Sequence, residues 1–314
     1  MNGEQMTEIS RIFKPRRELG KTGWMATVLG VGDLADRSLP IEECVATARR
    51  ALEVGLNVID TAPSYEEGYS EEIVGRAVTG RREEVFVITK IDHPDQPVAG
   101  QVQASLERLG MEFADCLLFH SVSEMAVWQH IAARGGPMDE LEACVREGMG
   151  RFRGISSHHP DVLRAALESG RCDVVMFAAG PFGDARFVNE ILPLARRKGV
   201  GTVCFKTFGA GKLLGDTDGY GRPLQARPRG KPGAGGRDAA GAPSLPALTV
   251  GECVCYTLTC DPDVALLGLS SPSEQDAAFA AARAFRPLPG AEMDDIRRRA
   301  AKAVEGKGPC WWTP

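Results

Sequence analysis

The chain has 314 residues, 43% of them hydrophobic and 25% charged, with a formal net charge of -5. That is enough apolar material for a large core, and the charge balance excludes the positive field that nucleic acid or an anionic membrane would need. A small molecule is therefore the expected partner, and the length suits either two ordinary domains or one α/β barrel.

Residues 1–15 carry Glu4, Glu8, Arg11 and Lys14 without an apolar core, so they read as a mobile tail and not as a signal peptide or membrane helix. The folded domain is expected over 16–306, followed by a short tail at 307–314. Eight apolar, strand-like runs lie at 27–32, 57–62, 85–90, 115–121, 153–158, 173–178, 201–206 and 264–269. Helical patterns at 41–54, 70–78, 98–109, 138–147, 160–168, 186–198 and 250–258 alternate with them. Ser271-Pro272-Ser273-Glu274 reads as a capping box opening a further helix, and a last pattern covers 288–304. This βα order predicts a single-domain (β/α)8 TIM barrel, with an open doubly wound sheet as the alternative that strand number alone permits. Gly30-Val31-Gly32-Asp33-Leu34-Ala35 fits a dinucleotide fingerprint, but Ser38-Leu39-Pro40 delays the next helix to about Ile41, too late to meet a pyrophosphate.

Between 215 and 246 the composition shifts to Gly, Pro, Arg and Ala, as in Arg227-Pro228-Arg229-Gly230. A segment of that length is expected to be either a lid or a solvated tether. Trp311-Trp312 would cap the barrel or pack on a neighbour. The nine cysteines, an odd number without paired zinc spacing, sit mostly in apolar patterns and read as reduced thiols of a cytoplasmic protein.

Three of the strand-like runs end on an ionisable residue. Asn57-Val58-Ile59 ends on Asp60, with Tyr65 five residues later; Val85-Phe86-Val87-Ile88-Thr89 ends on Lys90; Cys116-Leu117-Leu118-Phe119 ends on His120. One such residue alone is most often a solvated or ion-paired surface group. Four on three successive strands point to a site, because ligands collect at the C-terminal ends of parallel strands.

These four residues, with Gly68-Tyr69-Ser70-Glu71, Val74-Gly75-Arg76-Ala77, Ser105-Leu106-Glu107-Arg108-Leu109-Gly110, Gly154-Ile155-Ser156-Ser157-His158 and the run from Lys206 to Leu213, resemble the aldo-keto reductases. The resemblance covers most of the chain. It implies an NADP or NAD cofactor extended across the C-terminal face, and a carbonyl or alcohol as the small-molecule substrate. It also implies a catalytic set of Asp60, Tyr65, Lys90 and His120. In that set Tyr65 gives the proton, Lys90 held by Asp60 eases its release, and His120 donates to the carbonyl oxygen. Tyr69 is a rival acid by proximity, although it also fits a helix entry.

By the same resemblance, Ser156 and Ser157 meet the nicotinamide carboxamide, and Phe205 either stacks on the nicotinamide or fills the barrel. Gly32, Asp33, Asp60, Lys206, Thr207, Phe208, Gly209, Gly211, Leu213, Ser271 and Glu274 join the cofactor site, the two glycines by letting backbone N–H groups approach the pyrophosphate. Met176 stands where many relatives place a glutamine, and Ala179-Gly180 replaces a Tyr-Asn pair. Glu274 lies where relatives that prefer NADP place a basic residue, so NADH is expected to serve at least as well as NADPH. Trp24, Leu34, Trp128, His130 and His158 are candidate mouth residues. Two rival readings are a regulatory barrel with little turnover and a metal-dependent hydrolase using His120, His158 and His159.

Overall fold

The computed structural model describes residues 11–214, 247–269, 271–306, 310, 312 and 313. The expectations for most of the N-terminal tail, for 215–246 and for Trp311 lie outside the described residues.

Two very short strands, β1 (Arg17–Glu18) and β2 (Met25–Ala26), form an antiparallel hairpin. Eight parallel strands then close into a barrel: β3 (Leu29–Val31), β4 (Val58–Asp60), β5 (Phe86–Ile91), β6 (Ala114–Phe119), β7 (Gly150–Ser156), β8 (Val174–Ala178), β9 (Gly201–Phe205) and β10 (Val264–Leu267). Each strand pairs with its neighbour in chain order, and β10 closes the ring on β3. Each expected strand is present, so the closed barrel replaces the open-sheet alternative.

The outer ring comprises α1 (Ile41–Glu53), α2 (Tyr69–Val78), α3 (Val98–Leu109), α4 (Met125–Ala132), α5 (Pro137–Arg146), α6 (Pro160–Ser169), α7 (Leu192–Lys198), α8 (Val250–Thr259) and α9 (Pro272–Arg283), with α10 (Gly290–Val304) packed outside α8. Helix α1 starts at Ile41 behind Pro40, well beyond Gly32, which fits the rejection of the dinucleotide fingerprint. Where one helix was expected over 186–198, a π turn (Phe187–Ile191) precedes α7. Pro193 is the cause we assign: it offers no N–H, and its ring crowds the carbonyl four residues back, so the ladder widens there.

The hairpin closes the N-terminal end of the barrel. Leu19 and Ala26 are buried with Val58, Phe86, Cys116, Leu118, Val174, Met176, Val203 and Val264 inside the barrel. Gly20, at φ +56, lies so close to β9 that a Cβ would stand 2.2 Å from the Gly201 nitrogen. Trp24 packs on Phe86, the first residue of β5, with ring centroids 5.8 Å apart. It therefore lies at the bottom of the barrel and not at the mouth, a correction to the sequence expectation.

Seven of the nine cysteines are buried and none is bonded to another. Burial pushes the thiols of Cys172 and Cys260 up to about 12, so neither is a nucleophile near neutrality. Among the described residues no helix is long and apolar enough to cross a membrane.

Candidate active site

Strands β4, β5 and β6 are consecutive neighbours, with Asp60 opposite Ile88 and Lys90 opposite Leu118. Their C-terminal ends therefore form one rim, which brings Asp60, Lys90 and His120 together. Lys90 Nζ donates to Asp60 Oδ1 at 2.7 Å, to Asp60 Oδ2 at 2.8 Å and to the Thr61 carbonyl at 2.7 Å. The same ammonium lies 4.7 Å from the centroid of the Tyr65 ring, in cation–π contact with its face.

The consequence for Tyr65 differs from the sequence expectation. Burial, joined by the charges of Asp60, Asp33 and Asp92, raises the phenol well above its ordinary 10. Lys90 directs its protons at Asp60 and Thr61. The phenol is thereby held as an acid with its proton in place, rather than as a readily formed tyrosinate.

Local structure fixes where Tyr65 points. Its N–H donates to the Ala62 carbonyl at 3.1 Å and it begins a tight turn, Tyr65–Gly68, in which Glu66 (φ 48), Glu67 (φ 53) and Gly68 (φ 87) are all left-handed. Arg37 clasps the Glu66 carbonyl through Nε at 3.1 Å and Nη2 at 2.5 Å. Helix α2 then leaves at once and is tied back to the strands. Thr61 Oγ1 donates to Ser70 Oγ at 2.9 Å, Thr89 Oγ1 to Glu71 Oε1 at 2.6 Å, and Arg108 Nε to Glu71 Oε2 at 2.5 Å. Each polar residue of Gly68-Tyr69-Ser70-Glu71 thus has a positional task. Tyr69 is the first residue of α2 and its hydroxyl donates to the Leu39 carbonyl at 3.2 Å, which removes it as the rival acid.

His120 faces Tyr65 edge-on, with ring centroids 5.5 Å apart. Its Nδ1 is hydrogen-bonded to Asp92 Oδ1, and Ser64 Oγ donates to the same oxygen at 3.2 Å. Burial opposes ionisation of Asp92, but the hydrogen bonds and charge of His120 with the Ser64 contacts outweigh it and hold the carboxyl below its usual range. Sequence reading missed Asp92 because the strand was ended at Lys90. The strand runs on to Ile91, and the period of two then puts Lys90 and Asp92 on the same side of the chain as it leaves the barrel.

Several proposed cofactor residues also have structural work. Ser156 Oγ accepts from the Ser121 N–H at 2.8 Å, and Ser157 Oγ from the His159 N–H at 3.0 Å. The Ser157 hydroxyl in turn donates to the His159 carbonyl at 3.3 Å. Met176 is buried in the barrel interior and registers with Ser156. Phe205, half-buried at the end of β9, packs edge-on against His158 at 5.2 Å. Leu34 and Trp128 are buried and His130 is exposed. Gly32 N–H donates to Leu267 at 2.8 Å, and Asp33 Oδ1 accepts from Ala35 N–H at 3.0 Å.

After β9, Lys206 is left-handed at φ 67 and the chain makes a tight turn, Gly209–Gly211. The N–H groups of Gly209 and Gly211 donate within that turn, to Lys206 and Phe208. What these glycines supply is therefore backbone shape and not free donors. Thr207 Oγ1 is buried there without a hydrogen-bond partner among the described residues. Lys206 Nζ and the buried Lys212 Nζ lie 5.9 and 5.8 Å from the Trp312 ring. Trp312 is itself buried and donates from Nε1 to the Phe182 carbonyl at 3.0 Å, so it packs into its own chain. Two ammonium groups and an orphaned hydroxyl at one strand end fit the phosphates of a nucleotide.

Ser271 Oγ accepts from the Glu274 N–H at 3.4 Å, the forward half of the expected capping box, with Pro272 first in α9. Glu274 is buried in that first turn. His159 caps α6 through Nδ1, accepting from Asp161 N–H at 3.3 Å. Among the described residues no group of three or more His, Cys, Asp or Glu is placed to hold a metal ion.

A family model described as "Aldo/keto reductase family" matches residues 27–267. The NADH-specific methylglyoxal reductase of Escherichia coli is 29% identical over 219 residues, which are 63% of this chain and 66% of that protein. The match thus spans just under two thirds of that relative's length. Among solved structures, the holo form of aldo-keto reductase AKR11C1 from Bacillus halodurans superposes with a TM-score of 0.64 at 22% identity, covering 93% of this chain and 99% of that one. An aldo-keto reductase from Klebsiella pneumoniae in complex with NADPH gives 0.64 at 21% identity, covering 87% and 92%. These two likenesses are of fold, whereas the family model matches the segment that carries Asp60, Tyr65, Lys90 and His120, and by that match the chain belongs to the aldo/keto reductase family.

Proposed function

We propose that this chain is a nicotinamide-dependent carbonyl reductase, also competent in the reverse direction as an alcohol dehydrogenase. The observation that carries the reading is the convergence of Tyr65, a buried Lys90–Asp60 pair and His120 on one rim of the barrel. The relatives support a nicotinamide coenzyme, since one is named for NADH and a structural neighbour holds NADPH. Thr207, Lys206 and Lys212 are the residues we assign to its phosphates, and Ser156 and Ser157 to its carboxamide.

A bound NADH or NADPH supplies the hydride that reduces the carbonyl carbon. Tyr65 gives its hydroxyl proton to the carbonyl oxygen as negative charge develops there, so that one hydride and one proton convert the carbonyl to the alcohol. The raised phenol keeps that proton bound throughout the neutral range, and Lys90 beneath the ring offsets the charge left behind as it departs. His120 orients the carbonyl oxygen.

The test is Tyr65→Phe. With a panel of aldehydes and ketones, kcat should fall by about 10²-fold or more, while the dissociation constant for cofactor, read by fluorescence titration, stays within about twofold of wild type. Full turnover in the variant would remove Tyr65 as the acid. Saturable cofactor binding without turnover in the wild type would instead favour a regulatory barrel, a second reading motivated by the apolar Met176 in the barrel interior.

A further inference from the structure

His120 has its Nδ1 engaged by Asp92 Oδ1, and both side chains are mostly buried, at 16% and 15% exposed. That bond has a consequence for the nitrogen on the other side of the ring. In a neutral imidazole one nitrogen carries the proton and the other a lone pair. Asp92 is ionised, so it can only accept, and the neutral tautomer must place its single proton on Nδ1. Nε2 would then present a lone pair, which repels a carbonyl oxygen instead of orienting it. Only the imidazolium satisfies Asp92 through Nδ1 and still offers a donor at Nε2.

We propose that Asp92 is a positioning residue for His120, fixing the ring through Nδ1 and keeping the imidazole doubly protonated near neutrality, so that an N–H at Nε2 meets the substrate oxygen. This rests on the carbonyl-reductase reading above. The surroundings act in the same direction. Around His120 stand Asp92 and the neutral hydroxyl of Ser64 at Nδ1, and the Tyr65 ring at its edge. Beyond Tyr65 lie Lys90, compensated at contact by Asp60, and Asp33. The carboxylate of Asp92, in direct contact with the ring, favours its positive form. The attraction that holds Asp92 ionised is the same attraction seen from the other partner. Ser64 contributes by donating to Asp92 Oδ1, which holds the carboxylate against the ring. The arrangement also separates the two functional protons: Tyr65 transfers one, whereas His120 keeps both of its own.

The deciding experiment is nitrogen NMR of histidine-labelled full-length protein across pH, with His120→Gln for assignment, in wild type, Asp92→Asn and Asp92→Glu. In the wild type both His120 nitrogens should be protonated at pH 7. In Asp92→Asn the midpoint should fall by about one pH unit or more, and Asp92→Glu should recover part of it. The alkaline limb of kcat/KM for carbonyl reduction should move with the NMR midpoint, with cofactor affinity unchanged within about twofold. A merely structural role would lower activity without moving either midpoint. A wild-type His120 that is neutral with its proton on Nδ1 at pH 7 overturns the proposal, as does an unchanged midpoint in Asp92→Asn; the first result needs no variant to fold. If no carbonyl is turned over while the NMR midpoint still shifts, the reductase reading fails and Asp92's hold on the charge of His120 stands.

Discussion

Lys90 and Asp60 form a closed pair: both Asp60 oxygens lie within 2.8 Å of Lys90 Nζ, and the side chains are only 1% and 3% exposed. Such a pair is costly to break from one side, because the remaining charge is stranded away from water. Lys90→Met should therefore destabilise the fold by about 3–5 kcal/mol, read as a lower urea midpoint. Asp60→Leu with Lys90→Met should recover much of that loss while abolishing turnover. If the double variant is no more stable than Lys90→Met, the pair is not the source of the cost.

Asp261 gathers three arginines on the opposite, N-terminal side of the barrel: Arg17 Nη2 at 2.8 Å, Arg196 Nη2 at 3.0 Å and Arg16 Nη2 at 3.1 Å. Burial disfavours its charge, but the arginine hydrogen bonds and charges prevail and lower its pKa. A carboxyl lowered in the folded state contributes stability above its unfolded value near 3.8 and loses it as pH falls through the folded value. Asp261→Asn keeps a residue tolerant of the observed φ of 61 and removes the charge, while turning one acceptor oxygen into a donor facing the arginine N–H groups. Because the side chain is about one-third exposed and screened, the cost at pH 7 should be modest, about 0.5–1 kcal/mol. The difference from wild type should shrink below pH 3.8, and a gap that persists there would mean that something other than charge is lost.

The barrel was legible because its strands are continuous apolar runs between amphipathic helical patterns, a contrast that needs no tertiary information. Features too short to show a period were not legible. The two-residue strands at Arg17–Glu18 and Met25–Ala26 carry no alternation, so Trp24 was placed at the wrong end of the barrel. Asp60, Lys90 and His120 could be found because each ends a strand, whereas Asp92 was hidden by a boundary set one residue short. The raised phenol of Tyr65 was not legible, because it follows from burial and from the carboxylates of Asp60, Asp33 and Asp92, which only packing assembles around it.

The turn that presents Tyr65 stores strain. Glu67 is left-handed at φ 53 although it has a Cβ, and its side chain is 94% exposed with only a 3.9 Å approach to Arg37. Glu67→Gly removes the steric cost and sacrifices little contact. Net of glycine's larger unfolded-state entropy, it should stabilise the protein by about 0.5–1 kcal/mol, seen as a raised Tm. If Tm rises while kcat/KM falls, the stiffness of this turn serves to aim Tyr65. If Tm falls, the conformation is held without strain.

We propose that cofactor choice turns on Glu274, a buried side chain in the first turn of α9 behind Ser271. The family resemblance puts the adenosine end of the cofactor against this turn. A carboxylate there repels a 2′-phosphate, which carries nearly two negative charges, and can instead accept a hydrogen bond from a free ribose hydroxyl. NADH should therefore bind at least as tightly as NADPH in fluorescence titration. Glu274→Gln should shift the ratio towards NADPH by several-fold, since an interaction of about 1 kcal/mol corresponds to roughly fivefold. NADPH binding tenfold tighter than NADH to the wild type would sink this assignment and move attention to the arginines between 222 and 237, which lie outside the described residues.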